Sequence, residues 1–161
     1  LRAARKISEK LQALDLLSRY KIILIDRNDR HTYTPLLYEV ATTSKETASI
    51  CELHNLATYK LKLLIEDLPI TLIEGEIEAL DVVRGDIHLR SGEKIACDYI
   101  IIALGSETNY FGIPGVRENS FTLKTLTDAI RVRDAIWNLA MENEGEIRIV
   151  VGGGGSSGER H

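Results

Sequence analysis

Lys21-Ile22-Ile23-Leu24-Ile25-Asp26 decides the fold. The run from Lys21 to Ile25 has the length and side-chain branching of a strand, and a carboxylate with the turn-prone Arg27-Asn28-Asp29 follows at once. Ahead of it, residues 1–18 place Ala4, Ile7, Leu11, Leu14 and Leu17 on one helical face. A helix leading into a buried strand is the αβ half of a βαβ unit, so an α/β protein with a parallel sheet is expected. Asp98-Tyr-Ile-Ile-Ile-Ala103 is a second, nearly all-apolar run, the pattern of a parallel strand covered on both faces.

Between these runs, residues 29–44 read as a loop rich in His, Tyr, Thr and Pro, and a weaker helical pattern (Ile50, Leu53, Leu56 or Ala57, Leu64) fills 46–66. Pro69 opens a strand through Glu74. Glu76–Asp81, Asp86–Arg90 and Glu93–Ala96 alternate polar and apolar residues around Arg84-Gly85 and Ser91-Gly92, which predicts a small antiparallel meander. After a Gly- and Pro-containing loop to Gly115, a helix is expected over Leu126–Met141. Thr125 and Asp128 give it a capping-box start, and Leu126, Ala129, Ile130, Trp137, Ala140 and Met141 form its buried stripe. Ile147–Val151 reads as one more buried strand, running straight into Gly152–Gly158.

In 161 residues, 44% are hydrophobic and 27% charged, the balance of a globular chain, and no apolar run is long enough to span a bilayer. A net charge of -4 makes nucleic acid a poor partner. Cys51 and Cys97 have no metal-ligand or CxxC spacing; they fit a reducing, cytoplasmic setting and read as core fillers. Leu1–Ile7 already reads as helix interior, and the chain stops where a further βα unit would begin, so a segment of a longer protein is expected.

Four places could carry chemistry. Asp26, with Arg27 beside it, sits at the carboxyl end of a strand, where ligands of open α/β sheets bind and an acid can accept hydrogen bonds from both ribose hydroxyls of an adenosine; an ordinary turn carboxylate is the alternative. Gly153-x-Gly155-x-x-Gly158 directly after a strand has the form of a pyrophosphate-binding turn. Ala103-Leu104-Gly105-Ser106 would let a cofactor backbone come close, with Tyr110, Phe111 and Pro114 shaping a cleft wall beyond it; a plain strand-to-loop exit reads equally well. Arg27 through Tyr38 crowds Arg30, His31, Tyr33, Thr34 and Tyr38 into one loop, suited to an aromatic cofactor or simply solvated. His31, His54 and His88 have no metal-like spacing and read as surface or packed residues.

Together, Leu1-Arg-Ala-Ala-Arg-Lys, Ile25-Asp-Arg-Asn-Asp-Arg-His, Thr34-Pro-Leu-Leu-Tyr-Glu-Val-Ala, Ala103-Leu-Gly-Ser-Glu-Thr-Asn-Tyr-Phe-Gly-Ile-Pro-Gly, Leu123-Lys-Thr-Leu-Thr-Asp-Ala and Val150-Val-Gly-Gly-Gly-Gly resemble the type II NADH dehydrogenases (NADH:quinone oxidoreductases), flavoproteins with two dinucleotide-binding domains. The resemblance implies a Rossmann-like FAD-binding domain over 1–143, with an inserted antiparallel meander and without its first strand and Gly-rich turn. Residues 144–161 would open the NAD-binding domain. The parent would take hydride from NADH onto FAD and pass electrons to a quinone at the cytoplasmic face of a membrane. Asp26 would match the FAD-ribose acid, and Ala103–Ser106 the Ala-Thr-Gly turn near the FAD, Leu104 replacing Thr. Pro35–Glu39, including Leu36, would match the loop beside the flavin. Its lack of Cys-x4-Cys argues against a disulfide reductase. Because the family's first strand is missing, the chain alone is expected to lack turnover. A stand-alone flavin- or nucleotide-binding module and a non-functional fragment are the alternatives. One further hypothesis concerns the vacant slot between Lys21–Ile25 and Asp98–Ala103: Ile147–Gly158 fills it, within one chain or by exchange in a homodimer; the alternative is that Ile147–Val151 packs elsewhere, as the first strand of the second domain, or stays frayed.

Overall fold

The computed structural model describes residues 1–142 and 145–152. Helix α1 (Arg2–Ala13) is built from Ala and long unbranched side chains, the best helix formers, and carries Ala4, Ile7 and Leu11 half-buried with Ser8 fully buried among them. Asp15 ends it in the left-handed region (φ 54), where its amide bonds Gln12 O at 3.1 Å and the Leu16 amide bonds Leu11 O at 2.9 Å. This paired closure satisfies two carbonyls that a helix end otherwise leaves open. The helix is thus shorter than the expected 1–18, and Leu14, assigned to its buried face, is 65% exposed.

Strand β1 (Ile22–Asp26) lies against α1 and is followed by β2 (Arg30–Thr32), a 3-10 turn (Thr34–Leu36) and α2 (Leu37–Thr42). Then come α3 (Ile50–Ala57), β3 (Thr58–Lys60), the single turn α4 (Leu61–Leu64) and β4 (Ile70–Glu74). β1 and β4 pair in parallel from Ile22↔Ile70 to Asp26↔Glu74, so everything between them is the crossover that a parallel pair requires. Within it, β2 and β3 close an antiparallel ribbon. The expected loop over 29–44 therefore holds a strand and a helix, and the expected helix over 46–66 is interrupted by Thr58-Tyr59-Lys60. A three-residue strand is too short to show a period; β3 is fixed by its pairing with β2, Arg30↔Lys60 to Thr32↔Thr58, and by Arg30 Nε donating to Thr58 Oγ1 across 28 residues of chain.

The meander forms as expected from β5 (Ile77–Asp81), β6 (Asp86–Leu89) and β7 (Lys94–Ala96). Ile87, Leu89 and Ile95 form its core, against which Ile23, Ile25 and Ile73 of the parallel pair pack, together with Ile100. A second core joins Leu37, Val40 and Ala41 of α2, Leu53 and Ala57 of α3, and Leu126 and Ala129 of the long helix α5 (Leu126–Glu142). That helix runs as expected, although Met141 and Ala140 are exposed and Arg133 takes a buried place on its stripe. Cys51 is exposed and Cys97 half-buried, so only the second fills part of a core.

Two expected strands do not form. Residues 98–103 carry no strand pairing, and Tyr99, Ile101 and Ile102 are 85%, 62% and 60% exposed. Residues 147–151 are likewise unpaired, with Val150 and Val151 about nine-tenths exposed. A strand exists through its ladder, and among the described residues β1 pairs only with β4. Ile147–Val151 pairs with neither flank of the vacant slot, which overturns slot filling within one chain. Gly153, Gly155 and Gly158 lie outside the described residues.

The start of α5 gives a pH-dependent stability. Asp128 Oδ2 accepts from the Thr125 and Lys124 amides at 3.0 and 3.2 Å, and the Asp128 amide donates to Thr125 Oγ1 at 3.1 Å. Partial burial raises the Asp128 pKa, but those amides and the Thr125 and Thr122 hydroxyls outweigh it and hold it below the usual value. A depressed carboxyl pKa stabilises the fold above the ordinary aspartate range and loses that contribution as pH falls through the lowered value. Asp128→Ala is expected to cost ~0.5–2 kcal/mol at neutral pH in denaturant unfolding. The difference from the wild type should shrink in acid; a gap that persists unchanged at pH 2 counts against the cap.

Candidate functional site

Parallel pairing puts the carboxyl ends of β1 and β4 side by side, and Asp26 is the last residue of β1, opposite Glu74. Its main-chain oxygen accepts the Gly75 amide at 2.9 Å, which ties the two strand ends together. The half-buried side chain caps the turn that follows: Oδ1 accepts from the Asn28 amide at 3.0 Å. Oδ2 has no hydrogen-bond partner among the described residues. Asp26 is therefore both the turn carboxylate and an acid with one oxygen to offer. Arg27 is exposed next to it.

From that turn the chain enters the β2–β3 ribbon and emerges at the 3-10 turn that contains Pro35 and Leu36. Leu36 packs against the helical core, and Leu37 behind it is fully buried, so the turn is held by α2 and α5 rather than by solvent-facing loop contacts. Tyr38 points outward, 58% exposed, and donates to Glu39 Oε1 at 3.1 Å; that hydrogen bond and the carboxylate's charge push its phenol pKa up. Asp26, Arg27, Pro35 and Leu36 thus share one continuous stretch.

Ala103, Leu104, Gly105 and Ser106 lie on the exposed segment after residue 98. Gly105 has φ 82, a conformation that favours glycine, and a Cβ there would meet nothing within 4 Å, so its backbone is open to a ligand. Lys124 Nζ holds Ser106 Oγ at 3.0 Å. No hydrogen bond or ion pair among the described residues joins this segment to Asp26 or to Pro35. Beyond it, Tyr110, Phe111, Ile113 and Pro114 do line a cleft of about 340 Å3, with the Arg117 guanidinium 4.5 Å above the Tyr110 ring.

Sequence reading missed a basic cleft. Leu1, Arg2, Arg5, Lys6 and Glu9 of α1 and its N-cap line a space of about 420 Å3 together with His31 of β2. No acid sits in the first turn of α1, and only Lys6 among these cations has a carboxylate partner, Glu9 at 2.8 Å. The hydrogen bond and charge of Lys6 lower the Glu9 pKa in turn. The Arg2, Arg5, Lys6 spacing on one side of a helix without first-turn acids was the available signal. Cationic side chains at a helix N-terminus suit a phosphate or pyrophosphate.

The sequence profile of the pyridine nucleotide-disulphide oxidoreductase family matches residues 2–159. Demethylphylloquinone reductase NdbB of Synechocystis sp. is 30% identical over 142 residues, covering 86% of this chain and 33% of that protein. The type II NADH:quinone oxidoreductase of Haemophilus influenzae is 25% identical over 163 residues, covering 86% of this chain and 36% of its own length. The chain therefore spans about a third of these relatives. Among solved structures, the sulfide:quinone oxidoreductase of Aquifex aeolicus superposes with a TM-score of 0.67 at 24% identity, over 84% of this chain and 30% of that one. NDH2 of Plasmodium falciparum superposes with 0.61 at 23% identity, over 78% and 26%, and shares the fold. A strand-end acid, a parallel pair, a meander and a match running nearly from end to end place this chain in the pyridine nucleotide-disulphide oxidoreductase family, as a stretch similar to its type II NADH:quinone oxidoreductases.

Proposed function

We propose that these residues are part of the FAD-holding portion of an NADH:quinone oxidoreductase. The observation that carries this reading is Asp26, at the carboxyl end of a parallel strand, with one oxygen spent on its own turn and the other free. A ribose hydroxyl is a donor that fits it. The basic cleft at the start of α1 suits a diphosphate, the open backbone at Gly105 suits a close-lying ligand, and the turn at Pro35 and Leu36 offers a wall for a flat ring system. FAD, when bound, supplies a two-electron acceptor for hydride from NADH and a donor toward a quinone. The chain's own residues bind and orient. Residues 1–143 belong to the FAD-binding domain in this reading, and 144–161, with Gly153, Gly155 and Gly158, to the start of the NAD-binding domain. The relatives' names support NADH and quinone as substrates. The cytoplasmic face of a membrane is the proposed place of work; no helix among the described residues is long and apolar enough to cross one.

In the enzyme that carries these residues, Asp26→Ala should weaken FAD retention by the loss of charged hydrogen bonds, ~1.5–3 kcal/mol or roughly 10–100-fold. Flavin occupancy after gel filtration measures it, and full occupancy in the variant removes Asp26 from the site.

The 161 residues by themselves are expected to give no NADH:quinone turnover. Holding nicotinamide over flavin can account for ~7–11 kcal/mol of a barrier, and this chain spans 36% of the type II NADH:quinone oxidoreductase it matches. Stopped-flow or steady-state NADH oxidation by the purified chain at ordinary enzyme rates sinks this reading.

A homodimer formed by exchange of Ile147–Val151 is proposed from the edge of β1 that is unpaired among the described residues and from the exposure of Ile149, Val150 and Val151. Light scattering over a concentration series should show a dimer that Val150→Asp abolishes; a monomer throughout refutes it.

A further inference from the structure

The polar contacts inside the crossover centre on one hydroxyl. Thr58 opens β3 and is 5% exposed, and its side chain is approached from two directions. Arg30 reaches diagonally across the β2–β3 ribbon, where its backbone partner is Lys60, and donates Nε to Thr58 Oγ1 at 2.8 Å and Nη2 to Thr58 O at 3.1 Å. Thr58 Oγ1 donates its own proton to His54 O at 2.8 Å, near the end of α3. With that proton used, the contact between Oγ1 and His54 Nδ1 at 3.2 Å requires the ring to donate from Nδ1. One hydroxyl therefore gives one hydrogen bond and receives two, and no valence is left over. The Arg30 charge also lies by the carbonyl end of α3, where the helix dipole favours a cation.

Backbone bonds flank this centre. Leu61 N donates to Asp29 O, and Tyr33 N to Ala57 O, each at 2.8 Å. The first strand of the ribbon they close, β2, is the stretch of chain that joins the Asp26 turn to the 3-10 turn at Pro35. Its twist and offset set where those two turns stand relative to each other. Arg30 is committed inward and is not a ligand contact, although its sequence position beside Asp26 suggests one.

We propose that Arg30 and Thr58 are positioning residues that lock the Asp26 turn and the Pro35–Leu37 turn into the spacing a flavin needs. This rests on the flavin reading above. Neither residue touches the cofactor; each acts through the ribbon. Thr58→Val keeps the shape and removes the hydroxyl, leaving the half-buried Arg30 without the acceptor of its Nε and the His54 carbonyl with the residue-58 amide alone, whereas Thr58→Ser keeps the hydroxyl.

The test uses the full enzyme carrying these residues, stripped of flavin and then titrated with FAD. Peptide-resolved amide exchange over 33–37, where the Leu36 amide bonds Tyr33 O at 3.0 Å, should quicken roughly tenfold in Thr58→Val and stay near wild type in Thr58→Ser. The FAD dissociation constant, measured far below the unfolding temperature, should rise about as much in the first and not in the second. Should Thr58→Val not fold, Arg30→Gln, at a half-buried position, is read in the same way, with the same selective loosening expected. Wild-type exchange over 33–37 in these variants, or a Thr58→Ser as impaired as Thr58→Val, overturns the proposal. The exchange arm needs no flavin: it can fail while Asp26→Ala still loses FAD, or hold while Asp26→Ala retains it, so the two readings fall separately.

Discussion

The parallel pairing of β1 with β4 is the constraint on which the rest of the structure depends. Two parallel strands cannot be joined by a tight turn, so the 43 residues of Arg27–Pro69 must leave the carboxyl end of one strand and return to the amino end of the other. That path is folded on itself: the β2–β3 ribbon draws it together, and α2 and α3 turn Leu37, Val40, Leu53 and Ala57 into a core that α5 covers. Meanwhile Ile23, Ile25 and Ile73 point to one side of the pair, where the meander buries them. Each core thus exists because the pairing leaves an apolar surface or a long connection that has to be closed.

Local capping decides where the helices begin and end within this frame. Ser49 and Glu52 bond each other's amides at the start of α3, with Ser49 N to Glu52 Oε2 at 2.7 Å and Glu52 N to Ser49 Oγ at 3.3 Å, and Thr125 and Asp128 do the same for α5. These bonds also lower the Glu52 pKa. Capping at Ser49 starts α3 only after residues 43–48 have left α2, so the chain can turn there and bring the two helices onto a shared core. That core holds the far side of the turn at Pro35, where Leu36 and Leu37 are anchored, while the ribbon holds the side that leads in from Asp26.

What the sequence showed and what it hid divide along the range of the interactions. Lys21–Ile25, Pro69–Glu74, the meander and α5 were legible because period, branching and Gly turns are local; Gly85 and Gly92, at φ 74 and 90, are where the meander's turns require them. β2 and β3 were not legible, since a three-residue strand is specified by a partner far along the chain. The 98–103 and 147–151 runs were read as strands from their apolar character alone, and character does not make a ladder. In the candidate site, Asp26 was named from its strand end and the Pro35 turn from the family resemblance. Thr58 was not, because a threonine inside a helical pattern gives no sign of the arginine that will reach it. The basic cleft escaped for a related reason: Arg2, Arg5 and Lys6 look like an ordinary solvated helix face until His31 is brought opposite them.

Strand direction also explains how the charges are sorted. Because β1 and β4 run the same way, Asp26 and Glu74 end up adjacent at one end of the sheet. Two neighbouring carboxylates are poor hosts for a phosphate and good ones for hydroxyl donors. In the proposed reading a diphosphate would meet its cations instead at the start of α1, where Arg2, Arg5 and Lys6 lie with no acid in the first turn, and at His31 of the ribbon. A ligand that is hydroxylated in one part and anionic in the next meets both demands, and a simple anion or a neutral sugar meets only one. Arg30, turned inward to Thr58, makes no ion pair with Asp26, whose Oδ2 stays available to a hydroxyl.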